Sequence, residues 1–296
     1  GSGAFCRNVD GANKHEAAGH RAAVAAIMDD LERFEAANDV DGVVMLNLAS
    51  TERWPDLNDP TLNSAEAFEK GLDSSDESIS PAMLYAYAAI KSGIPYANFT
   101  PSVAADVPAL LELAKDLNVP VAGKDGKTGQ TMMKTVLAPA LKARALHVDG
   151  WFSTNILGNR DGLALDDPDS LSSKLQTKGS VLDSILGYPV EDHIVDIRYY
   201  RPRGDDKEAW DNIDVTGFLG HKMQIKVNFL CKDSILAAPL NLEIARLLDL
   251  AKQRGEGGAQ EQLSLFFKAP MTPAGKREEH SFPVQERALL DWLAAA

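Results

Sequence analysis

Residues 119–131 read Val-Pro-Val-Ala-Gly-Lys-Asp-Gly-Lys-Thr-Gly-Gln-Thr. The apolar start, Pro120 to Gly123, has the character of a buried strand. The loop that follows, Gly123 to Gly129, carries Lys124, Asp125, Lys127 and Thr128 between glycines. From Gln130 to Leu146 the apolar spacing becomes helical. A strand-to-loop-to-helix passage rich in glycine and hydroxyls turns backbone N–H groups toward an anion.

Reading toward the N-terminus, the same grammar repeats. His15 to Asn38 has apolar residues at helical spacing (Val24, Ile27, Met28, Leu31, Phe34), and Gly42 to Ala49 is a nearly continuous apolar run. Such a run suits a strand buried on both faces. Ser50 to Asn63 is a polar loop at its end, Ser80 to Ser92 a helix with Pro81 early in it, Tyr96 to Thr100 a strand, and Val107 to Asn118 a helix. Strands alternating with helices predict a parallel, doubly wound sheet. Beyond Gln130 the pattern changes. His193 to Arg201 alternates, as does the stretch Met223, Ile225, Val227, Phe229, which predicts an antiparallel or mixed sheet with one face covered. Ser234 to Arg254 reads as a long helix, Gly255 to Gly258 as a loop and Val284 to Leu293 as a closing helix. The fold class expected is therefore α/β, a partial doubly wound parallel sheet plus an inserted α+β sheet domain.

Two further blocks share the chemistry of the first. Leu157-Gly-Asn-Arg-Asp-Gly162 is a polar turn after a partly apolar run, and Ser172-Ser-Lys-Leu-Gln-Thr-Lys178 places Lys174 and Lys178 four apart, on one face if helical. The chain of 296 residues has a net charge of −13, so its overall field repels nucleic acid and anionic membranes. A phosphorylated ligand would need a local basic cluster, which Lys124, Lys127, Lys174, Lys178 and Lys207 can supply. Taken singly, each is an ordinary solvated lysine. Cys6 and Cys231 form no disulfide or zinc pattern, no His-Glu-x-x-His occurs, and no metal site is expected. No apolar run reaches membrane-spanning length and the N-terminus has no secretory pattern, so a cytoplasmic setting is expected.

In order and spacing, the three blocks resemble the signature of the myo-inositol-1-phosphate (inositol-3-phosphate) synthase family: Gly-x-Asp-x-Lys-Ser-Gly-Gln-Thr, Leu-Gly-Asn-x-Asp-Gly and Ser-Lys-x-x-x-Lys. Ala49-Ser-Thr-Glu52, Ser80-Pro81, Gly204-Asp-Asp-Lys207 and Asp233 to Pro239 match as well, so the resemblance runs from about Ala17 to the end. It implies conversion of D-glucose 6-phosphate to 1D-myo-inositol 3-phosphate by oxidation, enolisation, intramolecular aldol and reduction, with NAD as cofactor. It implies a Rossmann-like NAD-binding domain from residues 15–130 and 232–296, and a catalytic and tetramerisation domain from residues 131–231. The partners implied are a small sugar phosphate and further copies of the chain in a homotetramer, with no nucleic acid and no membrane.

Carried residue by residue, the resemblance assigns substrate phosphate to Thr128, Gly129, Gln130, Thr131, Lys178 and Lys207. Catalysis falls to Lys174, with Lys127, Lys178, Lys207 and Asp125. Crowding among these lysines is expected to lower one pKa and so supply a neutral base. Cofactor contacts fall to Thr51, Asp125, Asn159, Arg160, Asp161, Asp233 and Ser234. Thr128 stands where members carry serine, and Arg160 where many carry asparagine. The family's N-terminal glycine turn has no counterpart between Gly1 and Val43, which implies a shortened chain with weakened NAD binding. Two other readings remain open: another NAD-dependent sugar-phosphate oxidoreductase, and a non-catalytic oligomerisation and substrate-binding remnant.

Overall fold

A computed structural model describes residues 17–159, 180–273 and 275–295. The chain divides into two compact units. The first comprises residues up to Asp125 with Asn241–Leu263 and Ala269–Glu278, and the second comprises Gly126–Leu240, Ser264–Lys268 and Glu279–Ala296.

The first unit is built on a parallel sheet in the order β1 (Met45–Asn47), β2 (Tyr96–Asn98), β3 (Pro120–Gly123), β8 (Gly258–Ala259). Every residue of β2 and β3 is buried, as the unbroken apolar reading of β3 anticipates. Its helices are α1 (His20–Asn38), α2 (Ala65–Ser74), α3 (Pro81–Lys91) and α4 (Pro108–Asp116). Ser80 starts α3: its hydroxyl accepts from the Met83 N–H at 3.3 Å, and Pro81 follows at the first helical position. Met83, Ile90, Leu110 and Val121 are fully enclosed in one core, each side chain contributing ~1.5–3 kcal/mol by burial.

Three differences from the sequence reading stand out here. Strand β1 is three residues long, because its partner β2 pairs with it only over Tyr96 to Asn98. Helix α2, with Ser64 as its cap at 3.2 Å from the Ala67 N–H, lies just past the loop read from Ser50 to Asn63. Gly258, expected to close a loop, instead opens β8 and pairs with Pro120.

The second unit holds α5 (Gln130–Ala143), β4 (His147–Leu157), α6 (Ser180–Leu186), β5 (Asp192–Tyr199), β6 (Asp206–Thr216), β7 (Lys222–Lys232), the first part of α7 (Asp233–Gln253) and α8 (Phe282–Ala294). The sheet order is β5-β4-β6-β7. Strand β4 is parallel to β5 and antiparallel to β6, which is antiparallel to β7, so the sheet is mixed. One face buries Trp151, Val148 and Ile213 against Leu141 of α5 and Leu182 of α6. The other presents Phe152, Ile194 and Trp210, which are 42%, 50% and 46% exposed. Strand β6 was not read from sequence. No described helix of either unit is long and apolar enough to cross a membrane.

Candidate functional site

The candidate site of the second unit is a pocket at the start of α5. Gly129, Gln130, Thr131, Asn155, Leu157, Ile197, Lys207 and Lys268 line it. Gly129 is the residue before the helix, and the first turn of any α-helix has N–H groups without intrahelical acceptors. Gln130 and Thr131, in that first turn, are buried and line the pocket, and the positive end of the helix dipole there favours an anion.

The cations arrive from two directions. Lys207 stands in the second position of β6, opposite Leu157 of β4. Lys268 is brought in by backbone pairing: the Lys127 N–H donates to the Phe266 carbonyl at 2.8 Å, and Gly126 bridges Phe267. Lys268 was missed in the sequence reading, where its setting, Leu-Phe-Phe-Lys-Ala-Pro, offers only a lysine after an aromatic pair.

Asp233, the first residue of α7, ties the site together. Its carboxylate accepts from the Thr128 hydroxyl at 2.6 Å and from Lys207 Nζ at 3.2 Å. Burial raises its pKa, but the Lys207 charge, the Thr128 hydroxyl and the Lys268 charge outweigh that and hold it below the ordinary carboxylate value. Thr128 is therefore neither a helix cap nor a free donor: α5 has no side-chain cap, and the hydroxyl proton is committed to Asp233.

The turn after β4 is shaped by close packing. A Cβ on Gly158 would lie 2.3 Å from the Gly204 nitrogen and 2.8 Å from the Tyr200 carbonyl oxygen. Only glycine allows the 157–159 turn to sit on the 200–204 turn that leads into Lys207, and the Tyr200 N–H to donate to the Leu157 carbonyl at 2.7 Å. Asn159 closes this turn, and Ser234 is exposed on the first turn of α7.

Lys127 is not among the residues lining this pocket. It is 4% exposed, donates to Gln285 Oε1 of α8 at 2.6 Å, and stands over the Phe282 ring. Burial alone pushes its ammonium down to about 7. The lowering at Lys127 comes from desolvation, whereas the crowding expected around Lys174 and Lys178 concerns residues outside the described ones. Arg160, Asp161, Lys174 and Lys178 lie outside the described residues.

In the first unit, Thr51 and Asp125 lie at the carboxyl ends of β1 and β3, the side of a parallel sheet where ligands of α/β folds collect. Asp125 is 3% exposed, has φ of 60°, and its N–H donates to the Thr100 carbonyl at 3.0 Å. Lys124 is withdrawn from any phosphate-binding cluster, since it pairs with Asp106 and lies 4.6 Å from the centroid of the Trp54 ring. Glu52 is buried at the start of α3, where its carboxylate accepts from the Ala82 N–H at 3.1 Å. Burial raises its pKa to about 6, against the Ala82 N–H and the Ser80 hydroxyl.

A family model described as myo-inositol-1-phosphate synthase matches residues 4–294. The chain is 47% identical over 297 residues to inositol-3-phosphate synthase 1 of Bacteroides thetaiotaomicron, covering 98% of this chain and 69% of that one. It is 34% identical to an inositol-3-phosphate synthase of Spirodela polyrhiza, covering 92% of this chain and 57% of that one. Among solved structures it matches inositol-3-phosphate synthase from Caenorhabditis elegans with a TM-score of 0.88 at 30% identity, over 96% of this chain and 59% of that one. The chain thus spans between about half and two thirds of the length of these relatives.

Proposed function

Because the chain belongs to the myo-inositol-1-phosphate synthase family, we propose that it takes part in the cyclisation of D-glucose 6-phosphate to 1D-myo-inositol 3-phosphate in the cytoplasm, as a homotetramer. The observation that carries this reading is the pocket itself: the start of a helix and two lysines, Lys207 and Lys268, converge on a space of the right chemistry for a phosphate monoester.

In this reading the backbone N–H groups of Gln130 and Thr131 and the two ammonium groups bind the phosphate. Asp233 holds Lys207 and, through Thr128, the loop before α5. Lys174 transfers a proton at the carbons next to the oxidised centre, and Lys178 supports the substrate oxygens. A fixed cation beside an oxygen that gains negative charge lowers the barrier to enolisation. Leu157 and Ile197 supply the apolar wall that keeps water from the enol.

The family is NAD-binding. The strand ends of the first unit fit the ribose and nicotinamide end of that cofactor, since Thr51 offers a hydroxyl and Asp125 a buried carboxylate at the usual ligand side of a parallel sheet. Asn159 and Ser234 are the further candidates, together with Arg160 and Asp161. When bound, the cofactor would supply reversible hydride transfer with no net oxidation.

The test is incubation of the purified protein with glucose 6-phosphate and NAD⁺, with product identification and absorbance at the NADH band. Inositol phosphate without accumulating NADH supports the proposal. Steady NADH release would favour a sugar-phosphate oxidoreductase, and binding without turnover a substrate-binding remnant.

A further inference from the structure

Gln130 is the first residue of α5 and part of the pocket wall, and its side chain is gripped at both ends. Its Oε1 accepts from Asn155 Nδ2 of β4. Its Nε2 donates to Asp211 Oδ1 of β6 at 3.2 Å. The same Asp211 oxygen accepts from Trp151 Nε1 at 2.7 Å and from Ser153 Oγ at 2.5 Å. Trp151, Ser153 and Asn155 are alternate residues of β4, so the pleat aims all three at the covered face, and Ser153 is the register partner of Asp211.

Asp211 is 3% exposed. A carboxylate so deep costs several kcal/mol in solvation, and a well-packed apolar side chain is often at least as stable. Its charge is matched electrostatically by the buried ammonium of Lys134, one helical turn past Gln130, whose Nζ lies 2.8 Å from His193 Nε2. What the arrangement secures is orientation. A glutamine amide can turn over and exchange its donor for its acceptor at little cost. Asp211 Oδ1 already accepts from Trp151 and Ser153, so Gln130 turns its Nε2 toward that oxygen and leaves Oε1 to accept from Asn155, whose own amide turns to match. Trp151 and Ser153, donating to the same oxygen, hold the carboxylate where it must be.

We infer that Asp211 is a positioning residue for the pocket: it fixes the side-chain amide of Gln130 and, through it, the wall against which the substrate phosphate binds. The inference rests on the phosphate reading of the pocket. It also explains why an aspartate interrupts the apolar inward row of β6, between Ala209 and Ile213.

The test is calorimetric titration of glucose 6-phosphate into the parent protein, Asp211→Ala, Asp211→Asn, Gln130→Ala and the two double variants. Asp211→Ala should weaken binding about tenfold, the scale of one fixed polar contact. Asp211→Asn keeps the shape and one acceptor, so it guards against a fold defect in the alanine variant and should weaken binding about threefold. Combined with Gln130→Ala, neither change should weaken binding further, because the effect passes through Gln130. Equal losses with and without Gln130, or no loss for both Asp211 variants, would overturn the inference while leaving the phosphate reading intact. No binding by the parent protein would overturn both.

Discussion

Lys127→Met is expected to change the sign of its effect with pH. Lys127 is buried against Gln285 and Phe282, both neutral, and its pKa is lowered by desolvation from the usual 10.5 to about 7. A depressed base binds its proton more weakly in the folded state than in the unfolded one. Below pH 7 both states are protonated and the full burial cost is present. Between pH 7 and 10.5 the unfolded chain holds more protons, so stability rises with pH, and above 10.5 the cost is gone. A difference of 3.5 pKa units corresponds to about 5 kcal/mol at most. Methionine removes that cost but leaves the Gln285 acceptor buried without its donor, which costs ~1–3 kcal/mol. At pH 7 the variant should be more stable by ~2–4 kcal/mol, or roughly 4–12 °C in Tm. At pH 10.5 it should be less stable by ~1–3 kcal/mol. Lys134, held near 8 by burial, titrates in both proteins and cancels in the difference. Urea unfolding of parent and variant at the two pH values measures the crossing. Equal destabilisation at both would refute a desolvated ammonium.

Gly158→Ala should cost ~1–3 kcal/mol by overpacking and weaken glucose 6-phosphate binding, because its Cβ would press on the turn leading to Lys207; thermal unfolding and calorimetry check both effects. The proposed tetramer should use the open sheet face, so Trp210→Glu should yield smaller species by light scattering, and a parent protein that is monomeric at micromolar concentration would remove the basis for it. Lys174→Ala should lower the cyclisation rate by ~10²–10⁴ with the circular dichroism unchanged, and near-parent turnover would remove Lys174 from the chemistry.

The parts of the fold that sequence made legible are those where one signal dominates. Pro120–Gly123 and the start of α5 at Gln130 fall where strand, glycine loop and helix succeed one another, and α3 where Ser80-Pro81 marks a start. Strand β6 escaped because its inward row carries Asp211, and its outward row mixes Glu208, Trp210, Asn212 and Asp214, so no apolar alternation survives. Strand β8 escaped because backbone alone makes it, through glycine. In the pocket, the loop residues 129–131 and Lys207 were legible from their motifs. Lys268, Asn155 and Ile197 were not, since each arrives by pairing between segments far apart in the chain. The motif did not reveal the partners of Lys124 and Lys127, one held by Asp106 and the other by Gln285, because both partners lie far away in the sequence.

The most direct test of the central claim is a crystal structure of the protein with glucose 6-phosphate. The phosphate oxygens are expected about 3 Å from the backbone nitrogens of Gln130 and Thr131 and from the Nζ atoms of Lys207 and Lys268. A phosphate seated elsewhere, with these groups facing only water, would contradict the account.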